Sequence, residues 1–290
     1  MMNYLNCTKN MEKLHIIQLE MLKDFDEICK RHNIRYVLFA GTALGALRHQ
    51  DFIPWDDDLD VALLREDYEK LLGTAGKEWG SKYYMQREFS EHWPMFYSKL
   101  RKNNTAYIEK MAPVDRQQHQ GIYIDIFPCD NLASNSFLRA IQFFCSKIVI
   151  AKSLSKRGYV TNNFLKKTFM KICELVPMRW AYKVAIRRND ASSEFVHTFF
   201  GASSKYKKSV FKRKWFAEAV HVPFGDGLFP VSKFCGEMLT TMYGNYMQLP
   251  PEEERIAKEH AVLVDLDNSY DCYLEWQSKQ YYSTYPKSIR

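Results

Sequence analysis

The 290-residue chain carries a formal net charge of +7 and is 46% hydrophobic, 15% aromatic and 26% charged. Such a chain can bury enough apolar surface to offset its ordering entropy, which excludes intrinsic disorder. Its 12 Gly and 10 Pro exclude collagen-like and low-complexity classes. The seven cysteines are scattered without a C-x-x-C pair, which speaks against a disulfide framework or a structural zinc site and for reduced thiols in a cytoplasmic protein.

Taken in chain order, Leu14, Ile17, Met21, Phe25 and Ile28 recur at spacings of three and four and predict a helix over 11–31. A β-rich run over 35–40 stops at Gly41. Thr42 is then a candidate N-cap for the following Ala-Leu-Gly-Ala-Leu, so Gly41-Thr42 reads as a strand-to-helix turn. A strand is expected over 59–64 and a short helix over 65–72, ended by Gly73. Further strands are expected at 83–88, 96–101, 105–108 and 121–127. From 134 to 200 the pattern becomes helical, basic and aromatic, and 212–234 reads as loop or short strand. A helix over 233–243 ends at Gly244, and Pro250-Pro251 opens a last short helix that carries Arg255 and His260.

The charge is unevenly placed. Between Phe137 and Trp215 there are 18 Lys or Arg against three acids, an excess of 15 that surpasses the whole chain's. A solvated helical face, a phosphorylated substrate, anionic lipid or nucleic acid all accommodate such a block. No basic-aromatic recognition motif is interleaved with it, so nucleic acid is not an expected partner. The N-terminus lacks the apolar run of a secretion signal, and the most apolar stretch, 137–151, is broken by Arg139, Gln142 and Lys147.

The segment Phe52-Ile-Pro-Trp-Asp-Asp-Asp-Leu-Asp-Val61 carries the chemistry. Residues two apart on an extended chain share a face, so Asp58 and Asp60 project together, Asp56 joins them if extension starts early, and Asp57 faces away. Clustered carboxylates raise one another's pKa, and a hard divalent cation relieves the repulsion. An acidic surface turn is the alternative, opposed by the apolar flanks. Asp125, inside Ile-Tyr-Ile-Asp-Ile-Phe, is a second acid in an apolar strand, a place where a charge needs a partner. Gly41-Thr42 would let backbone amides approach an anion at a helix N-terminus. Arg48 and His49 follow that helix. They suit either phosphate contact or the helix dipole's negative end. Positioned phosphate, a cation site and an oriented hydroxyl are the parts of phosphoryl transfer.

GTALGALRHQDFIPWDDDLDV (41–61), YIDIFPCD (123–130) and FGDGLFPVSKFCGEMLTTMYGNYMQLPPEEER followed by His260 (224–260) together resemble the LicD family and its fukutin-like relatives in the nucleotidyltransferase superfamily. The resemblance covers about 12–260 and is weakest over 134–210. It implies an α+β fold, a polymerase-β-like core in which helices flank a mixed sheet, with a basic helical insertion or second lobe. The implied division is a catalytic core at 12–133, a basic helical region at 134–215 and a C-terminal part at 216–290. On the family pattern Asp58, Asp60 and Asp125 are catalytic. Asp56, Asp58, Asp60 and Asp125 bind Mg2+ or Mn2+, and Gly41, Thr42, Arg48 and His49 contact substrate. Thr42 stands where many relatives carry Ser.

The implied reaction is transfer of a substituted phosphate from a CDP-activated donor such as CDP-choline to a sugar hydroxyl of a surface glycan or lipid-linked glycan, with release of CMP. The enzymatic alternative on this fold moves a nucleoside monophosphate from a nucleoside triphosphate. A cytoplasmic protein in peripheral contact with the anionic inner face of a membrane is the expected setting.

Overall fold

The computed structural model describes residues 7–110, 118–157, 159, 161–186, 193–198, 206–256 and 260–284. It opens with α1 (Cys7–Arg31), whose Leu14, Met21, Phe25 and Ile28 form the predicted buried stripe. Strand β1 (Val37–Leu38) leads into α2 (Ala40–His49), followed by β2 (Asp60–Leu64), α3 (Arg65–Glu78), β3 (Tyr83–Gln86), β4 (Ser98–Lys102), β5 (Ala106–Glu109) and β6 (Tyr123–Asn131). The basic region supplies α4 (Ser136–Lys156), α5 (Phe164–Glu174), α6 (Met178–Ile186), β7 (Phe195–His197), β8 (Val210–Lys212) and α7 (Lys214–Ala217). The chain continues through β9 (Ala219–Phe224), β10 (Gly227–Ser232), α8 (Cys235–Tyr243), α9 (Glu252–Ile256), β11 (Ala261–Asp265) and α10 (Leu274–Thr284).

A mixed seven-stranded sheet, ordered β1-β2-β6-β4-β3 with β7 and β8 continuing from the end of β6, is flanked by helices. Only β2 and β6 pair in parallel among its strands; the other pairings are antiparallel. One apolar core joins α1, β2, β6 and the β9–β10 hairpin, with Phe25, Leu63, Ile124 and Phe229 at its centre. A second lies on the opposite side of β1 and β2, around Phe39, Leu64 and Phe211. A third joins α4, α5 and α6 to Trp93, Met95 and Phe96 of the β3–β4 connection.

The elements differ from expectation at several points. Helix α3 runs through Gly73 to Glu78, because tertiary packing of Tyr68 and Leu71 outweighs the modest helix penalty of one glycine. Helix α2 starts at Ala40 with Phe39 as its cap, so Thr42 lies inside the first turn and is not the N-cap. The basic region contains two strands, β7 and β8, too short to show alternation. His260 lies beyond α9, immediately before β11, rather than on the last short helix. The termination of α8 at Gly244, whose φ is +75°, is as expected. Cys29, Cys129, Cys145, Cys173 and Cys235 are buried free thiols and Cys272 is an exposed one, and among the described residues no helix is long and apolar enough to cross a membrane.

Candidate active site

The acidic cluster lies at the mouth of β2. Asp56, Asp58 and Asp60 line one cleft of about 490 Å³, and Asp57 turns the other way and is fully buried. This is the alternation expected for an extended chain, begun four residues before the regular strand.

Four anchors hold the segment. His15, stacked on Phe52 at 4.3 Å, donates to the Asp56 carbonyl at 2.7 Å. Gln18 donates to the Asp57 carbonyl at 3.1 Å. The Asp60 N–H donates to the Thr42 hydroxyl at 2.8 Å. The Asp57 carboxylate accepts from the backbone N–H of His260 at 2.8 Å and of Ala261 at 3.2 Å, and from the His260 ring Nδ1 at 2.8 Å. Burial opposes ionisation of Asp57, but His260 and, after it, Tyr107 together outweigh burial and hold the carboxyl below the usual range.

Gly41 lines the cleft because it has no side chain. A Cβ there would stand 2.5 Å from the Asp56 carboxylate oxygen Oδ2, so Asp56 packs onto the backbone at the start of α2. Ala40, not Gly41, takes the left-handed conformation at this strand-to-helix junction, with φ +47°.

The electrostatics follow from the crowding. Burial, and then the neighbouring Asp56, push the Asp58 carboxyl up to about 7. Burial and Asp58 push Asp60 well above the ordinary range. His260 lies 3.7 Å from Asp58, and its bond to Asp57 raises its ring to about 9. A histidine whose folded pKa exceeds its unfolded value stabilises the fold fully below about 6.5 and loses that contribution as pH rises through about 9. The stability gap between wild type and His260→Gln is therefore expected to close between pH 7 and 10, as read by urea denaturation at each pH. A gap that widens with pH would contradict this pairing.

Asp125 lies directly across from Asp60 in the parallel β2–β6 register and directly across from Lys99 in the antiparallel β4–β6 register. Lys99, Asp125 and Asp60 thus form one row across three strands. The Lys99 ammonium is fully buried, 2.9 Å from the Asp125 carboxylate, 3.4 Å from Glu109 and 3.2 Å from the centre of the Tyr123 ring. Burial raises the Asp125 carboxyl above its ordinary range, and Lys99 offsets only part of that rise. Burial also opposes ionisation of Glu109, but Lys99, Arg101 and Arg157 bring it to about 2. This buried cationic group has no counterpart among the sequence expectations. Its signal was present in the strand as Ser-Lys-Leu-Arg-Lys, where alternation places Lys99 and Arg101 on one face.

The remaining expected residues separate. Arg48 lines the cleft and donates to the Tyr246 carbonyl at 3.0 Å and to His49 Nε2 at 3.0 Å. His49, Thr42 and the buried Asp125 are not among the lining residues. Burial and the adjacent Arg48 lower the His49 pKa, in keeping with its role as acceptor. Residues 243–250 close the far wall with Tyr243, Asn245, Tyr246, Gln248 and Pro250, and Trp55 lies in the wall with the Arg255 guanidinium 4.9 Å over its ring.

The open pair Asp58 and Asp60 fits a hard cation. Among the described residues no group of three or more Asp, Glu, His or Cys side chains is placed to hold a metal ion. One or two carboxylates completed by substrate phosphate oxygens is, however, the ordinary way Mg2+ is held.

Known proteins share this arrangement of sequence. The family described as LicD/FKTN/FKRP, nucleotidyltransferase domain, matches residues 33–144. The lipopolysaccharide cholinephosphotransferase LicD of Haemophilus influenzae is 24% identical over 249 residues, covering 83% of this chain and 92% of that protein. The human ribitol 5-phosphate transferase FKRP is 46% identical over 48 residues, which span 17% of this chain and 10% of FKRP. An uncharacterised protein of Rickettsia typhi is 45% identical over 56 residues, 19% of this chain and 18% of that protein. The similarity to the Haemophilus influenzae protein thus extends through most of the sequence, and the paired carboxylates at the mouth of β2 lie within residues 33–144, the part that matches the LicD/FKTN/FKRP family model.

Proposed function

We infer that the protein transfers a substituted phosphate, phosphocholine or a similar phospho-alcohol, from a CDP-activated donor to a sugar hydroxyl of a surface glycan or glycolipid, with release of CMP. Its class, a phosphotransferase of the LicD type, rests on the named transferases it is similar to. The observation that carries the finer reading is the pair Asp58 and Asp60 lining one cleft beside the start of α2. We also read the mixed sheet as a nucleotidyltransferase core.

Asp58 and Asp60, with Asp56 beside them, would hold Mg2+, which supplies charge neutralisation on phosphate oxygens. Arg48 and protonated His260 add positive charge on the cleft wall. The acceptor oxygen attacks the phosphorus that bears the alcohol, and the bond from that phosphorus to the CMP oxygen breaks. Asp125, next to Asp60 in the strand register, would complete the ligand set or take the hydroxyl proton, and the Lys99 ammonium would favour its ionised form in either role.

A panel of CDP-alcohols with Mg2+ and a glycan acceptor tests the reading through CMP release. Pyrophosphate released from nucleoside triphosphates, with no CMP from any CDP-alcohol, would assign the cleft to nucleotidyl transfer instead. Gly41→Ala probes the same geometry. Its Cβ forces the Asp56 carboxylate away, and a displacement of about 1 Å costs about 100-fold in rate. The expected result is that loss in kcat with an unchanged far-UV circular dichroism spectrum.

A further inference from the structure

We propose that the end of the helical lobe formed by the N-terminal turns of α4 and α5 is a docking surface for an anionic lipid bilayer. Two contacts fix the geometry. Phe144 of α4 meets Phe169 of α5 at 6.4 Å between ring centres. Further along both helices, Lys152 donates to the carbonyls of Cys173, Glu174 and Val176 at 3.0–3.1 Å. The two helices therefore run in the same sense, and their first turns lie at the same end of the lobe. That end exposes Phe137, Leu138, Ile141, Phe164 and Leu165; Phe164 is 78%, Leu165 76% and Phe137 72% exposed. Phe144, 57% exposed, extends the apolar surface along α4.

The charge chooses the occupant. Residues 136–186 contain ten Lys or Arg and one acid, Glu174. Lys166 and Lys167 directly follow the apolar pair on α5, and Lys171 is exposed one turn later. Bulky apolar tips backed by lysines match the two attractions of a membrane surface: apolar side chains enter the headgroup boundary, and ammonium groups meet anionic lipid phosphates. An anionic bilayer supplies both at one plane, which favours it over nucleic acid, where exposed aliphatic side chains gain nothing. No described helix is long and apolar enough to cross a bilayer. The inference stands apart from the transfer reaction, because it uses no residue of the cleft.

The test is co-sedimentation of the full chain with vesicles of phosphatidylcholine alone or mixed with phosphatidylglycerol, at low and high salt. Binding to the anionic vesicles at low salt is expected, weakened by salt as the charges are screened. Phe164→Ser/Leu165→Ser and Lys166→Glu/Lys167→Glu alter exposed side chains only. Each is expected to reduce binding by about tenfold or more with an unchanged thermal midpoint. Absence of binding to anionic vesicles at low salt overturns the proposal. So does binding that both variants retain. A concentration-dependent dimer in gel filtration that Phe164→Ser/Leu165→Ser abolishes, without vesicle binding, would assign the face to a second copy of the chain and also overturn it.

Discussion

Asp58→Asn is expected to lower transfer from a CDP-alcohol by about 1,000-fold or more, the scale of losing a cation that neutralises developing phosphate charge. The substitution keeps the shape of the side chain and removes its charge, so the fold should survive. Stability should even rise near neutral pH. The Asp58 carboxyl is raised from 3.8 to about 7 in the folded chain. A carboxyl with a raised folded pKa binds its proton more tightly in the native state, so its ionisation destabilises the fold progressively from about pH 4 and fully above about pH 7. Asn carries no such cost. Thermal unfolding of wild type and variant at pH 5 and pH 8 measures this directly: the variant's advantage should be larger at pH 8. Mg2+ gives a second readout that does not depend on turnover. A ligand present at about 100 times its dissociation constant stabilises by about 2.7 kcal/mol, which raises the midpoint by several degrees in a protein of this size. Wild type should show that rise and Asp58→Asn should lose most of it. A variant with full activity, or with an undiminished Mg2+ response, would remove Asp58 from the metal-binding role.

Lys99→Met is expected to be the most damaging substitution outside the cleft. Lys99 is fully buried, with carboxylates of Asp125 and Glu109 at 2.9 and 3.4 Å. Removing one member of a buried charge group leaves the others without compensation and costs about 3–5 kcal/mol. Methionine fills most of the volume, so the loss is electrostatic rather than a cavity effect. Urea denaturation at pH 7 checks the magnitude. The same variant should raise the Asp125 carboxyl further, since Lys99 is the neighbour that draws it down against burial. Any activity that remains should shift its acidic limb to higher pH. Lys99→Arg, which keeps the charge, should recover more of the stability than of the activity, because a longer planar cation cannot occupy the same position over Tyr123. A Lys99→Met protein as stable as wild type would mean that Arg101 and Arg157 alone compensate Glu109 and Asp125.

Local pattern in the sequence determined a good deal. The stripe of α1, the opposed faces of Asp57 and Asp58, and the Gly244 end of α8 all follow from periodicity and backbone preference. The four carboxylates within five residues announced a charge problem that something must relieve, and the motif around them carried the family resemblance.

Packing decided the rest. Thr42 looked like a cap or an anion contact, but its hydroxyl accepts the Asp60 N–H because α2 and β2 are packed together. Gly41 read as part of a strand-to-helix turn open to an anion, yet the requirement for it comes from Asp56, fifteen residues away in sequence, whose carboxylate fills the space of a side chain. His260 was expected on the last short helix; it stands instead just before β11, half-exposed, and once β11 paired with β5 it became a partner of Asp57, more than 200 positions earlier. The row Lys99–Asp125–Asp60 exists only through the register of three strands distant in sequence. Side-chain alternation and capping act over a few residues and are written in the local order of the chain. The electrostatic environment of a carboxylate depends on every charge within several ångströms, and those neighbours are chosen by tertiary contacts that local order does not encode.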